Sequence, residues 1–121
     1  MKWLHQLANV TSIRNAEHYT WGDNCDGWFL LKDPSVHIIR ERMPPGTREK
    51  LHVHNRSRQY FYVLQGELTI LLGQEKIGIL AGEGLEVKPG VAHQASNLSR
   101  NGVEFIVISC PPSHDDRTNL D

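Results

Sequence analysis

Long apolar runs, cysteine motifs and a dominant charge of one sign are all missing from this 121-residue chain, and each absence removes a class of function. No stretch approaches the roughly 20 apolar residues a membrane-spanning helix needs, and the N-terminus, MKWLHQLANV, lacks the apolar core of a secretory signal. The expectation is a soluble cytoplasmic protein with no membrane partner. Cys25 and Cys110 are the only cysteines and show no C-x-x-C spacing, which argues against a disulfide framework and a thiolate zinc site. The formal net charge is −1. Binding nucleic acid through its phosphates needs clustered, uninterrupted cations. Arg40, Arg42, Arg48, Lys50, Arg56 and Arg58 do gather in one region, but Glu41 and Glu49 interrupt them, so a solvated mixed-charge surface is expected and nucleic acid is not an expected partner.

What the chain does have is β-structure. The length fits one domain, and an apolar fraction of 39% supplies one core. From Gly27 onward, short runs rich in β-branched and aromatic residues recur between Gly, Pro, Asn and Asp. They cover 27–32, 36–43, 51–54, 59–64, 67–72, 76–81, 84–87, 92–97 and 103–110. Nine such runs predict an all-β sandwich or barrel. Gln65-Gly66 and Gly73-Gln74 read as hairpin turns, Met43-Pro44-Pro45-Gly46 as a rigid loop and Lys88-Pro89-Gly90 as a turn. The chain divides into an N-terminal arm of the same domain (1–26), a barrel (27–112) and a polar tail (113–121). Trp3, Leu4, Leu7 and Val10 can form one face of a short helix or an edge segment. The tail holds His114, Asp115 and Asp116, which at a polar terminus read as solvated rather than metal-binding.

The run 59–64 is apolar on both faces, with Gln59, Phe61 and Val63 on one side and Tyr60, Tyr62 and Leu64 on the other. Such a strand must be covered twice, so a homodimer is expected; the alternative cover is the N-terminal segment.

His52 and His54, one residue apart, share a face only on an extended strand. Gln59 follows, and His93 comes after the Pro89-Gly90 turn. If Gln59 and His93 also face inward, three imidazoles and one amide oxygen converge inside the barrel. That donor set suits one divalent transition metal: Fe, Mn, Ni, Zn or Cu. Ligands on strands of a rigid barrel hold their geometry and leave positions open for substrate.

These residues resemble a known family. Gly46-x5-His52-x-His54-x4-Gln59-x6-Gly66 is similar to the first cupin motif, and Gly82-x5-Lys88-x-Gly90-x2-His93-x3-Asn97 to the second. The resemblance implies a double-stranded β-helix, or jelly roll, with metal held at positions matching His52, His54, Gln59 and His93. Lys88 stands where the second motif commonly has Pro, and Gln59 where cupins usually have Glu. Gln is neutral and cannot act as a base, so a bound divalent ion keeps its full charge. A carboxylate charge about 4 Å from a bound water is worth about 4 kcal/mol at an effective dielectric of about 20, so its absence makes that water more acidic. The cost is weaker metal retention, and the contrary reading is a site that has lost its metal. Some cupins do carry Gln here, including small enzymes resembling those that ketonise unsaturated uronates.

His37 and Glu41 share a parity on the preceding strand and become candidate acid or base groups if that face points inward. The opposite phase puts Arg40 and Arg42 inside, where they can bind a substrate carboxylate. Tyr62, like Tyr60 and Trp28, is either a substrate contact or a packing surface, packing being the commoner role. Glu49 reads as solvated, and Asn97 as a turn stabiliser.

Three functions fit. The first is an enzyme using the metal as a Lewis acid on a small carbonyl, sugar or sugar-acid substrate, with isomerase or lyase chemistry. The second is a metal-dependent dioxygenase. The third is a non-catalytic small-molecule-binding or sensing module. A purely structural role has no need for four convergent polar side chains, whose burial without partners is costly.

Overall fold

The computed structural model describes residues 9–121, and the described residues form eleven strands and no helix. Trp3, Leu4 and Leu7, the candidate helix or edge segment, lie outside the described residues. In chain order the strands are β1 (Glu17–Trp21), β2 (Cys25–Lys32), β3 (His37–Met43), β4 (His52–Val53), β5 (Arg58–Gln65) and β6 (Glu67–Leu72). They continue with β7 (Glu75–Leu80), β8 (Gly84–Val87), β9 (His93–Ser96), β10 (Val103–Cys110) and β11 (Thr118–Asn119). One sheet runs β1-β2-β3-β10-β5-β8 and the other β11-β4-β9-β6-β7. Packed face to face, they make the jelly roll of a double-stranded β-helix.

Each long strand alternates between an apolar inner row and a mixed outer row, because successive side chains point to opposite faces. Phe29, Ile39, Phe61, Val63, Phe105 and Val107 of the first sheet meet Leu68, Ile70, Ile79 and Ala95 of the second. Burying such a side chain contributes about 1.5–3 kcal/mol. This apolar filling occupies one end of the barrel. Along β10 the inner residues run Val103, Phe105, Val107 and then Ser109, and Ser109 lies opposite Gln59 of β5. In the other sheet His52 of β4 pairs with His93 of β9. The polar inner residues of both sheets therefore meet at the same end.

The nine sequence-predicted runs correspond to β2 through β10, with shifts at their ends. β1 is weakly marked in the sequence because only Tyr19 and Trp21 of EHYTW alternate toward the core, and its pairing with β2 depends on a tight turn with left-handed Gly22 and Asn24. β11 is only two residues long, and its pairing with β4 defines it. Gly73-Gln74 does join a hairpin, β6 to β7. Gln65-Gly66 does not, because β5 and β6 belong to different sheets. Gly66 turns the corner at φ +86°, where a Cβ would sit 2.6 Å from the Gly102 carbonyl oxygen. The Lys88-Pro89-Gly90 turn docks its Gly90 N–H on the His54 carbonyl at 2.7 Å. Asn97 is fully buried and donates from Nδ2 to the carbonyls of Met43 and Asn101, the loop-holding role its position predicts.

Candidate metal centre

His52, His54 and His93 are each at most 3% exposed, and one ring nitrogen from each lies within 4.8 Å of the others. Their rings pack against one another with centroids 4.3–5.3 Å apart. In every case Nδ1 faces a backbone carbonyl: His52 on Lys50 at 2.7 Å, His93 on Val91 at 3.0 Å, and His54 on Asp116. A carbonyl only accepts, so each neutral ring carries its proton on Nδ1 and presents a lone pair at Nε2. Burial, the largest cause, pushes His52 down to about 3 and His93 to about 4, and lowers His54 as well. The three rings are thus neutral near pH 7 and carry no proton for a metal to displace.

Nε2 of His54 is buried and has no hydrogen-bond partner among the described residues. Nε2 of His93 faces Oε1 of Gln59 at 3.1 Å, while Nε2 of Gln59 donates to Ser109 Oγ at 3.0 Å. With Nδ1–H of His93 committed to Val91, the 3.1 Å approach sets two acceptors against each other. Turning the amide over would relieve that pair but leave His54 unsatisfied. A cation relieves both, since it accepts the lone pairs of three imidazoles and one amide oxygen at once. The residues present fit a divalent metal.

His52, His54 and Gln59 border a cavity of about 580 Å³. Ile39, Phe61, Phe105 and Val107 form an apolar wall, and Glu41 of β3 and Glu49 of the segment before β4 bring carboxyls in. Glu41 is carried by the inner row of β3. Tyr19 of β1 donates from its hydroxyl to Glu41 Oε2 at 3.2 Å. Gly27 permits this, because a Cβ there would sit 2.2 Å from Cζ of Tyr19. Burial, reinforced by Glu49, raises the Glu41 carboxyl to about 8. Burial likewise raises Glu49 to about 7, against the pull of the Ala95 N–H that donates to its Oε2 at 2.8 Å. Glu49 is thus enclosed rather than solvated, with Oε1 4.0 Å from His52 Nε2.

Of the two phases open for β3, the inward row is His37, Ile39, Glu41 and Met43. Only Glu41 of the polar candidates reaches the cavity. His37 sits at the far end of the strand against Phe29 and His114, with ring centroids 5.1 and 5.5 Å away. Arg40 and Arg42 point outward, Arg40 to Glu104 at 3.3 Å and Arg42 to Asp26 at 2.9 Å. Tyr62 also lies on the outer face, 41% exposed. None of these four lines the cavity. The register decides this, because one residue of slip would exchange the two rows.

The tail holds site residues that no local pattern in the sequence marks. Asp116 accepts the backbone N–H groups of Asn55, Arg56 and Ser57 at 2.8–3.0 Å, and its carbonyl fixes the His54 ring. β11 then pairs with β4, the strand that begins with His52. Arg117 and Asn119 join the cavity wall. The tail is largely exposed, as its composition predicts, yet it is stitched to the barrel mouth. Its contacts lie about 60 positions away in sequence, beyond any local pattern.

The family model described as a cupin domain matches residues 39–109. Among curated proteins, the chain is 29% identical over 93 residues to an uncharacterized protein of Methanocaldococcus jannaschii, covering 76% of this chain and 74% of that one. It is 26% identical over 84 residues to the oxalate-binding protein of Thermotoga maritima, covering 65% and 69%. Among solved structures, a sugar phosphate isomerase of the cupin superfamily from Silicibacter pomeroyi superposes with a TM-score of 0.75 at 17% identity, covering 84% and 75%. That last likeness is one of fold alone. The histidines on β4 and β9, the two-sheet roll around them and a family match spanning more than half the chain establish that this protein belongs to the cupin family.

Proposed function

We propose that this cupin is a metal-dependent enzyme acting on a small carbonyl, sugar or sugar-acid substrate by isomerase or lyase chemistry. The observation that carries the reading is the group of unsatisfied Nε2 and Oε1 acceptors bordering a cavity whose wall also holds Glu41. A divalent metal held by His52, His54, His93 and Gln59 would supply Lewis-acid polarisation of a carbonyl or enediol oxygen. Glu41 moves the proton. Its raised carboxyl is matched to neutral pH, and Tyr19 orients it through Oε2, leaving Oε1 for the substrate. Phe61, Phe105 and Val107 exclude water from that exchange.

The test is elemental analysis of protein purified without a histidine tag, for which near-stoichiometric transition metal is expected. Protein that stays metal-free after incubation with Fe, Mn, Ni, Co and Zn would favour the second reading, a binding module. The name of the Thermotoga maritima relative, an oxalate-binding protein, is the observation on that side.

A homodimer is part of the same proposal. Tyr60, Tyr62 and Leu64 are 43%, 41% and 37% exposed on the outer face of β5, and β1 lies at the sheet's other edge, where it does not cover them. Light scattering at micromolar concentration should give about 28 kDa, twice the 13.8 kDa chain; a monomer mass would refute the dimer.

A further inference from the structure

We propose that Glu49 supplies the metal centre with the negative charge that Gln59 lacks, standing beside the four donors as a counter-charge that sets how tightly a divalent ion is held. The inference rests on reading His52, His54, Gln59 and His93 as metal donors, and it adds a fifth residue to that centre.

Glu49 is fixed by the strand that carries His93. Its N–H donates to the Ala95 carbonyl at 3.0 Å, the Ala95 N–H donates back to its Oε2 at 2.8 Å, and Gln94 Nε2 donates to its carbonyl at 2.8 Å. Backbone and side chain are thus both tied to β9. With Oε2 committed, Oε1 accepts no hydrogen bond among the described residues and stands 4.0 Å from Nε2 of His52. That nitrogen is the one His52 keeps free for a cation, since its Nδ1 faces Lys50. A cation about 2.1 Å from Nε2 lies no more than about 6 Å from Oε1. The atoms that lie within 4.8 Å of one another come from the three histidines alone, so Glu49 acts from beside the donor group rather than within it.

Four neutral donors leave the whole charge of a divalent ion to be balanced in a buried site, and burying an uncompensated charge is costly. Among the described residues, Glu49 is the one carboxylate within 4.0 Å of a ligand ring nitrogen. Glu41 is bonded to Tyr19 instead, and the carboxylate of Asp116 is spent on the N–H groups of residues 55–57. The other charge facing Glu49 is Arg117, whose Nη1 is 3.6 Å from Oε1, beyond good hydrogen-bond reach. Arg117 repels a metal cation, so Glu49 offsets it as well. The alternative is a carboxylate that only braces the segment before β4 through Ala95 and Arg117.

Shape and charge are separated by measuring Zn(II) affinity, through competition with a chromophoric chelator at neutral pH, for wild type, Glu49→Gln, Glu49→Asp, Gln59→Glu and the double variant Glu49→Gln/Gln59→Glu. Glu49→Gln keeps an oxygen for the Ala95 N–H but loses the charge, and its affinity should fall by about 10- to 100-fold with no loss of metal-free melting temperature. Glu49→Asp should retain part of the affinity. Gln59→Glu should gain at least about 10-fold more in the Glu49→Gln background than in wild type, because two carboxylates in one site repel each other before the metal arrives. A bracing role predicts no such rescue, since a carboxylate at position 59 does not restore the bond to Ala95. The proposal is overturned if Glu49→Gln binds Zn(II) as tightly as wild type, or if Gln59→Glu gains equally in both backgrounds. Either result leaves the metal reading standing, whereas a wild type that binds no metal defeats both.

Discussion

Replacing His54 with alanine should abolish metal retention and leave the fold in place. In wild-type protein, metal at 100 times its dissociation constant adds about 2.7 kcal/mol of stability. For a domain of this size that raises the melting temperature by about 10 °C. In His54→Ala the increment should vanish, with metal affinity down by more than about 100-fold, the upper end of what removing a mere supporting partner costs. The metal-free variant should melt close to metal-free wild type. Deleting the ring removes a buried nitrogen that has no partner, which offsets the lost contact with the Asp116 carbonyl.

The two melting curves separate a ligand from a structural histidine. A structural histidine would lower the metal-free melting temperature and leave the metal increment intact. Acid dependence gives a third reading. The folded state holds His54 neutral below its ordinary value of 6.5, so the unfolded chain binds more protons there, and stability falls as pH drops below 6.5. The variant, one buried histidine short, should lose stability less steeply on acidification.

Glu41→Gln should stabilise the metal-free protein at alkaline pH while disabling proton transfer. The Glu41 carboxyl lies at about 8 in the folded protein against 4.5 unperturbed. Between those values the folded state holds a proton that the unfolded chain has released. Stability from this group is fully present below 4.5 and is lost as pH rises through 8, on the order of 5 kcal/mol. Gln keeps the shape without the ionisation. Denaturant melts should therefore coincide for the two proteins at pH 4 and diverge at pH 9, with the variant more stable. Solvent deuterium exchange at carbon 2 of D-galacturonate, followed by NMR, should slow by about 10²- to 10⁴-fold in the variant. Equal exchange rates would remove Glu41 as the proton carrier, and equal melts at pH 9 would show that its carboxyl is not enclosed.

Both predictions draw on groups that stood out unequally in the sequence. His52 and His54 could be paired by spacing alone, because a period of two leaves an extended strand as the one geometry that aims both the same way. Gln59 and His93 followed from the same motifs, and the structure does gather all four. Glu41 was one of two possible phases of β3. Choosing between them needed the pairing of β3 with β2 and β10, because a strand carrying Ile38 and Ile39 is apolar on both faces. Glu49 looked solvated three residues before a histidine. The Ala95 N–H of the adjacent β9, alongside which the Glu49 segment runs, holds its carboxylate inward.

By itself, the sequence determined that this is an all-β domain with three imidazoles and an amide aimed at one another, since alternation, turn residues and ligand spacing are local properties of the chain. Tertiary structure decided which acid faces the cavity, that Arg40, Arg42 and Tyr62 face away from it, and that Asp116 and Arg117 return from the C-terminal end to hold His54 and line the cavity wall. Those outcomes depend on register and on contacts between segments some 60 residues apart, and such contacts leave no periodicity for a linear reading to detect.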